Sequence, residues 1–572
     1  MPENNRLPKL HARQAARLIM LLTAVMVPTI AIASNTDAPP DASSIATVQQ
    51  RAGQGDAKAQ LELGLAYASG KNIAQNPIEA AKWFRMAANQ GNMVAQNNLG
   101  VMYESGQGVP KDEAEAAKWY QKAADQEYAI AQVNLGVMYA NGRGVAKDET
   151  KAAILYLQAA SQGYAGGQYN LGIMRESGRG VAKDEVAATR LYRLAAMQGL
   201  AGAQNNLGVM YESGRGVARD ELEAIKWYRK AAEQGYTSAQ NNLAAMYANG
   251  RGIAKDEATA LKWYLLAAAS GDSNAQYNLG IMYANGRGVG VNESEAAKWF
   301  RKAAEQGDAA SQACLGDMYA HGQGVVKNEA EAVKWFRKAA LQGLADAQYY
   351  LGLALTNGTV LATDATEAVR WYGKAAEQGH ADAQLMLGLA YSDGFGVPKN
   401  SAEAVKWYRK AAGQGHADAQ FCLGVAHASG DGAPQDMVEA VKWWRKAADQ
   451  EFAKAQYNLG KAYFWGLGVT KDLNEAVRWY RKAADHGLAE AQSSVGKAHY
   501  FGTGVAKDAF EAAKWFRRAA DQGDADAQYN LGLAYANGEG VNKNITESVR
   551  WLREAARQGH DNAKAALKRL GY

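Results

Sequence analysis

The sequence predicts an all-α protein, a solenoid of 36-residue helix-turn-helix repeats. Three observations predict it. Gln60 recurs every 36 residues as far as Gln528, fourteen times without an insertion or deletion. Each copy holds two runs with apolar residues at helical spacing, and glycines mark where the runs end. The 60 glycines are therefore spaced by the repeat, many of them marking its turns, and do not form a low-complexity tract. A fixed period between about 20 and 50 residues is the mark of an array whose units bury their apolar faces only against their neighbours. That period overrides the several globular domains that a length of 572 residues would otherwise suggest.

Taken in order, residues 1–33 read as a signal peptide. Arg6, Lys9, Arg13 and Arg17 precede the apolar run from Leu18 to Ile32, and Ala31-Ile32-Ala33 supplies the small-x-small end, with cleavage after Ala33. The run is shorter than the ~20 residues of a spanning helix, so no stable membrane span is expected after cleavage. The expected destination is the periplasm or the medium; retention as an anchor is the alternative. Residues 34–41 (SNTDAPPD) read as a linker and 42–58 as a capping half-repeat. Residues 59–562 hold the fourteen repeats, and 563–572 a closing helix whose Lys564, Lys568 and Arg569 give the exposed end a polar face.

Repeat 5 shows the unit. Helix A spans about Ala201 to Ser213, and Gly214 and Gly216 break it around Arg215. Helix B starts after Asp220, an N-cap candidate with Glu223 placed to complete a capping box. It carries Trp227 and Tyr228 and closes at Gly235. Gln204, Leu207, Gly208 and Tyr211 share one side of helix A and vary least among the copies, so that face is core. The varied positions lie opposite: Asn205, Val209 and Glu212 here, and Tyr457, Lys461 and Phe464 in repeat 12. Cys314 and Cys422 lie three repeats apart, too far for the roughly 7 Å Cα separation that a disulfide requires.

The pattern A-Q-x-x-L-G-x-x-Y-x-x-G-x-G-V followed by D-x-x-E-A-x-K-W-Y-x-K-A-A-x-Q-G resembles the Sel-1-like repeat family, relatives of the tetratricopeptide repeats, over residues 42–570. The resemblance implies a right-handed superhelical solenoid that acts as an adaptor in larger assemblies, with many bacterial members exported. The paired cysteines of the disulfide-bearing branch are absent from these repeats.

Three constellations are candidate sites. The first is an asparagine ladder, Asn98, Asn134, Asn170, Asn206, Asn242 and Asn278, in six consecutive repeats. An amide is both donor and acceptor, so the ladder could hold a peptide backbone in the groove, or could order the scaffold by inter-repeat bonds. The second is an arginine ladder in the turns, Arg143, Arg179, Arg215, Arg251 and Arg287, suited to an anionic partner unless acids such as Asp148 and Asp184 absorb it. The third is an aromatic and basic patch, Tyr457, Lys461, Phe464, Trp465, Lys497, Tyr500 and Phe501, whose composition is that of a binding hot spot.

No metal or cofactor is expected: no H-E-x-x-H helix occurs, and the G-x-G turns lack a preceding strand. Ser494 and Lys497 match S-x-x-K, which matters because some members of the family it resembles bear the β-lactamase name. Neither S-D-N nor K-T-G accompanies the match, so catalysis is not expected. A net charge of +5 gives no nucleic-acid footprint. The expected function is that of an exported, monomeric scaffold binding a protein or an extended peptide. A scaffold for cell-envelope polysaccharide is the second reading and a β-lactamase-like hydrolase the third.

Overall fold

The computed structural model describes residues 42–358 and 362–572; the signal segment 1–33 and the linker 34–41 lie outside the described residues. The chain falls into two compact units, one ending at Val291 and one running Asn292–Tyr572. Each is a stack of antiparallel helix pairs, and no strand occurs among the described residues. No helix there is long and apolar enough to cross a membrane.

In repeat 5, helix A is Ala201–Ser213 and helix B is Glu221–Glu233. Asp220 caps helix B, its Oδ1 accepting the Glu223 N–H at 2.9 Å. The expected capping box closes only on that side. The Asp220 N–H already donates to the Tyr211 carbonyl at 2.9 Å, which leaves the Glu223 carboxylate to accept from Lys226 Nζ at 2.8 Å.

Two glycines set the turn. Gly214 caps helix A in the left-handed region, at φ 72°. Gly216, at φ 63°, is pressed so closely on the preceding repeat that a Cβ would overlap the Glu185 carbonyl. The turn of one repeat therefore seats on the start of helix B in the repeat before it. Within the pair, Gly208 faces the buried ring of Tyr228, where an added Cβ would come within 2.7 Å. Trp227 lies half-buried against the neighbouring cluster of Tyr192 and Leu207, filling the gap between pairs. Lys230 Nζ lies 4.5 Å from the centroid of its ring.

The recurrence of Gln204 has a cause that periodicity alone does not reveal. Its buried amide donates to the Ala196 carbonyl at the end of the preceding helix B, at 3.1 Å. Its Oε1 accepts from Gln234 Nε2, at the end of its own helix B, at 2.7 Å. One side chain thus ties three helices. In two repeats the second glutamine is replaced, by Ser270 and by His486. There, Gln240 Oε1 and Gln456 Oε1 are buried without a partner.

Candidate functional site

The asparagine ladder stands on helix A. Asn98, Asn134 and Asn170 are buried, and Asn206, Asn242 and Asn278 half-buried. Three of the six amides bond to an asparagine of the preceding repeat, and Asn206 meets the Tyr192 hydroxyl there. Asn134 Nδ2 donates to Asn97 Oδ1 at 3.0 Å, Asn242 to Asn205 at 3.0 Å and Asn278 to Asn241 at 3.3 Å. The rule is local: the bond forms where the preceding repeat carries an Asn-Asn pair. Asn170 follows a repeat with Val133 at the acceptor position. Asn206 Oδ1 accepts from Asn205 at 3.2 Å, and Asn98 Nδ2 is buried without a partner.

Every arginine of the second ladder meets a glutamate of the preceding repeat. Arg143 reaches Glu104 at 2.9 Å, Arg179 reaches Glu149 at 2.9 Å and Arg215 reaches Glu176 at 2.9 Å. Arg251 reaches Glu212 at 2.6 Å and Arg287 reaches Glu257 at 2.9 Å. Asp148 and Asp184 take no part, because each caps a helix B. Three of these glutamates also accept the hydroxyl of a buried tyrosine: Glu104 from Tyr120, Glu176 from Tyr192 and Glu212 from Tyr228. Burial, foremost, and the adjacent carboxylate push the Tyr192 and Tyr228 hydroxyls well above the usual phenol range, so they stay protonated donors.

The patch in repeats 12 and 13 is different. Phe464 and Tyr500 are half-buried, and each props the residue after it edge-on, Phe464 against Trp465 at 4.8 Å and Tyr500 against Phe501 at 4.9 Å. Trp465 is 64% exposed and Phe501 70% exposed. Other repeats place a polar residue there, which in most of them bonds back to the helix: Ser213 donates to the Val209 carbonyl at 2.7 Å, and Asn249 to Ala245 at 2.9 Å. Trp465 and Phe501 forgo that bond and present rings to solvent. Tyr457 packs on Tyr480 at 5.6 Å, with Lys461 Nζ 5.5 Å from its centroid. Lys497 pairs with Asp526 at 2.6 Å, and Tyr500 donates to Glu539 at 2.6 Å. The patch therefore splits into a supporting layer and two exposed rings.

Ser494 and Lys497 do not form a catalytic pair. The hydroxyl donates to the Glu490 carbonyl at 2.8 Å, and the lysine is held by Asp526 in the next repeat. His380 and His416 cap successive A helices, and His416 Nε2 lies 3.1 Å from Asp382.

Against known families, the chain matches the Sel1 repeat fourteen times, in consecutive copies from 57–92 to 525–560. The chain belongs to the Sel1-repeat family. The c5321 protective antigen of uropathogenic Escherichia coli, a solved structure with an SLR fold, is 34% identical. That match covers 92% of this chain and 97% of that one, with a TM-score of 0.46. A Sel1 repeat protein from Oxalobacter formigenes is 34% identical over 56% of this chain and 94% of its own, with a TM-score of 0.43. No match was found among the curated proteins. Sel1-repeat solenoids are typically protein–protein interaction scaffolds.

Proposed function

We propose that this Sel1-repeat protein is an interaction scaffold that holds a protein partner, with repeats 12 and 13 as its anchor. The observation that carries the reading is the pair of exposed rings, Trp465 and Phe501, at equivalent places in adjacent repeats, each braced by an aromatic behind it. Aromatic anchors dominate protein interfaces, and a side chain already held in place loses little entropy on binding. The asparagine ladder is a weaker candidate, because three of its amides already bond to a neighbouring repeat. The arginine ladder is weaker still, since each of its arginines already meets a glutamate.

The proposal includes export. The segment 1–33 would direct the chain out of the cytoplasm and leave it at Ala33, so that the scaffold works as a monomer in the periplasm or outside the cell. N-terminal sequencing of the envelope fraction tests this, with Ser34 as the expected first residue. The anchor is tested by affinity capture from envelope extract, comparing wild type with Trp465→Ala/Phe501→Ala and with Asn134→Ala/Asn170→Ala/Asn206→Ala. Loss of the captured protein with the aromatic variant, at an unchanged melting temperature, supports the anchor. Loss with the asparagine variant alone moves the site to the ladder.

A further inference from the structure

The two exposed rings do not stand alone. Lys461 lies one helical turn before Trp465 on the same face, and the Cβ of Lys471 lies against Gly466, the residue that follows Trp465. The next repeat repeats the arrangement: Lys497 lies one turn before Phe501, and the Cβ of Lys507 lies against Gly502. Each ring is thus flanked by one lysine from its own helix and one from the following turn.

In the earlier repeats the turn lysine is neutralised. Lys111 pairs with Glu113 at 3.3 Å, Lys147 with Glu149 at 3.0 Å, Lys183 with Glu185 at 2.9 Å and Lys255 with Glu257 at 2.7 Å. That glutamate opens helix B in a Lys-Asp-Glu run. In repeats 12 and 13 the run becomes Lys471-Asp472-Leu473 and Lys507-Asp508-Ala509. Of the nearby carboxylates, Glu490 stands in the same register to Lys461 as Asp526 does to Lys497, though no ion pair among the described residues joins them, and five others are engaged elsewhere. Asp472 and Asp508 accept helix N–H groups, Glu475 pairs with Arg478, Glu511 with Lys514 and Asp526 with Lys497. No ion pair among the described residues includes Lys461, Lys471 or Lys507. Lys399 and Lys543 also lack that glutamate, but only in repeats 12 and 13 does the turn lysine follow a helix that ends in a mostly exposed ring.

We propose that this face of repeats 12 and 13 selects an acidic protein segment that carries apolar side chains: its carboxylates meet Lys461, Lys471 and Lys507, and its apolar groups cover Trp465 and Phe501. The proposal rests on the scaffold reading above and sharpens it to one class of partner. Unpaired rim charges that face a complementary segment set its selectivity and its rate of encounter, while the rings supply the hold.

The test uses the full mature chain and three labelled twelve-residue peptides, in which Leu and Phe alternate with Glu, with Gln or with Lys, read by fluorescence anisotropy alongside alginate as an anionic polysaccharide. The Glu peptide is expected to bind at least roughly ten-fold more tightly than the Gln peptide, with the gap closing as salt rises. Lys461→Glu/Lys471→Glu/Lys507→Glu should invert the preference toward the Lys peptide, and Trp465→Ala/Phe501→Ala should abolish binding of both. All five positions are on the surface, and a melting curve on each variant verifies folding. Equal binding of the Glu and Gln peptides overturns the selectivity; if the ring variant still abolishes that binding, the scaffold reading stands. Binding of alginate with no peptide bound overturns both, as does failure to bind any probe.

Discussion

The turns of repeats 3 to 7 and those of repeats 12 and 13 are built on one plan and present opposite surfaces. In the former, each turn arginine reaches back to a glutamate of the preceding repeat, and most turn lysines reach forward to a glutamate that opens helix B. The charges are paired within the array, Glu149 and Glu257 each serving a lysine and an arginine, and the last residue of helix A is a Ser or Asn that bonds to its own helix. In the latter, Leu467 and Thr503 stand where arginine stood, Leu473 and Ala509 where glutamate stood, and Trp465 and Phe501 where Ser or Asn stood. The backbone is unchanged, since Gly466 and Gly502 keep φ values of 73° and 72°. A solenoid can therefore replace a self-satisfied edge with one that bears exposed rings and unpaired lysines by substitutions that leave the turn glycines alone.

The largest effect is expected from removing the rings. Trp465→Ala/Phe501→Ala should weaken partner binding by about 2–4 kcal/mol while the melting temperature holds, because both side chains are mainly in solvent. Binding measured by calorimetry checks it, and a fall in melting temperature of several degrees would show the rings to be structural.

Next comes the neutralised edge. Glu212→Ala strips a partner from the buried Tyr228 hydroxyl and from Arg251 together, and should cost about 1–3 kcal/mol in chemical unfolding. The same variant leaves Arg251 with only Glu221, 3.7 Å away, so retention on an anionic column should rise.

The glutamine tie gives a smaller change of opposite sign. Ser270→Gln and His486→Gln each supply the donor that Gln240 Oε1 and Gln456 Oε1 lack, and each should stabilise its unit by about 1 kcal/mol, read from the urea midpoint. Restoring the lost carboxylates with Leu473→Glu/Ala509→Glu should make repeats 12 and 13 resemble repeats 3 to 6. Stability should move by less than about 1 kcal/mol, as for exposed ion pairs, and affinity for the acidic probe should fall several-fold.

The smallest is a pH effect at a joint of the second unit. The hydrogen bond with His416 holds the Asp382 carboxyl below its ordinary range, and Asp382 in turn raises the His416 imidazole above 6.5. The depressed Asp382 contributes stability that is lost as pH falls through its folded value. The raised His416 contributes stability that is complete below pH 6.5 and lost as pH rises through its folded value. The contribution is therefore greatest in mildly acidic solution. Asp382→Asn should flatten it, as followed by urea midpoints from pH 4 to pH 8.

The fold was legible because fourteen copies supply their own comparison. Positions that never vary, such as Gly214 and Gln204, mark the scaffold, and helix A of repeat 5 ends where the glycine rule places it. The site was legible only in part. Trp465 and Phe501 stood out as departures from a polar consensus. The partners of Asn134 and Arg143 did not, because they lie a repeat back, in a register set by how helix pairs stack and not by their period. Asp148 lies close to the ladder in sequence and is the obvious acid to choose, yet an N-cap carboxylate already accepting a helix N–H is poorly placed to turn toward a turn arginine. The change from Lys-Asp-Glu to Lys-Asp-Leu was visible in the letters. Its meaning required knowing that the glutamate normally holds the lysine.

The glutamine tie has a mechanical consequence. An array whose neighbours are fastened by identical bonds has uniform stiffness, and any loosened fastening becomes the place where it bends or opens first. Gln456 begins repeat 12 with one of its two bonds missing. In repeat 12 the bond to the preceding repeat is kept and the one to its own helix B is missing, so the first of the two ring-bearing repeats is the one whose helix pair has one fastening fewer.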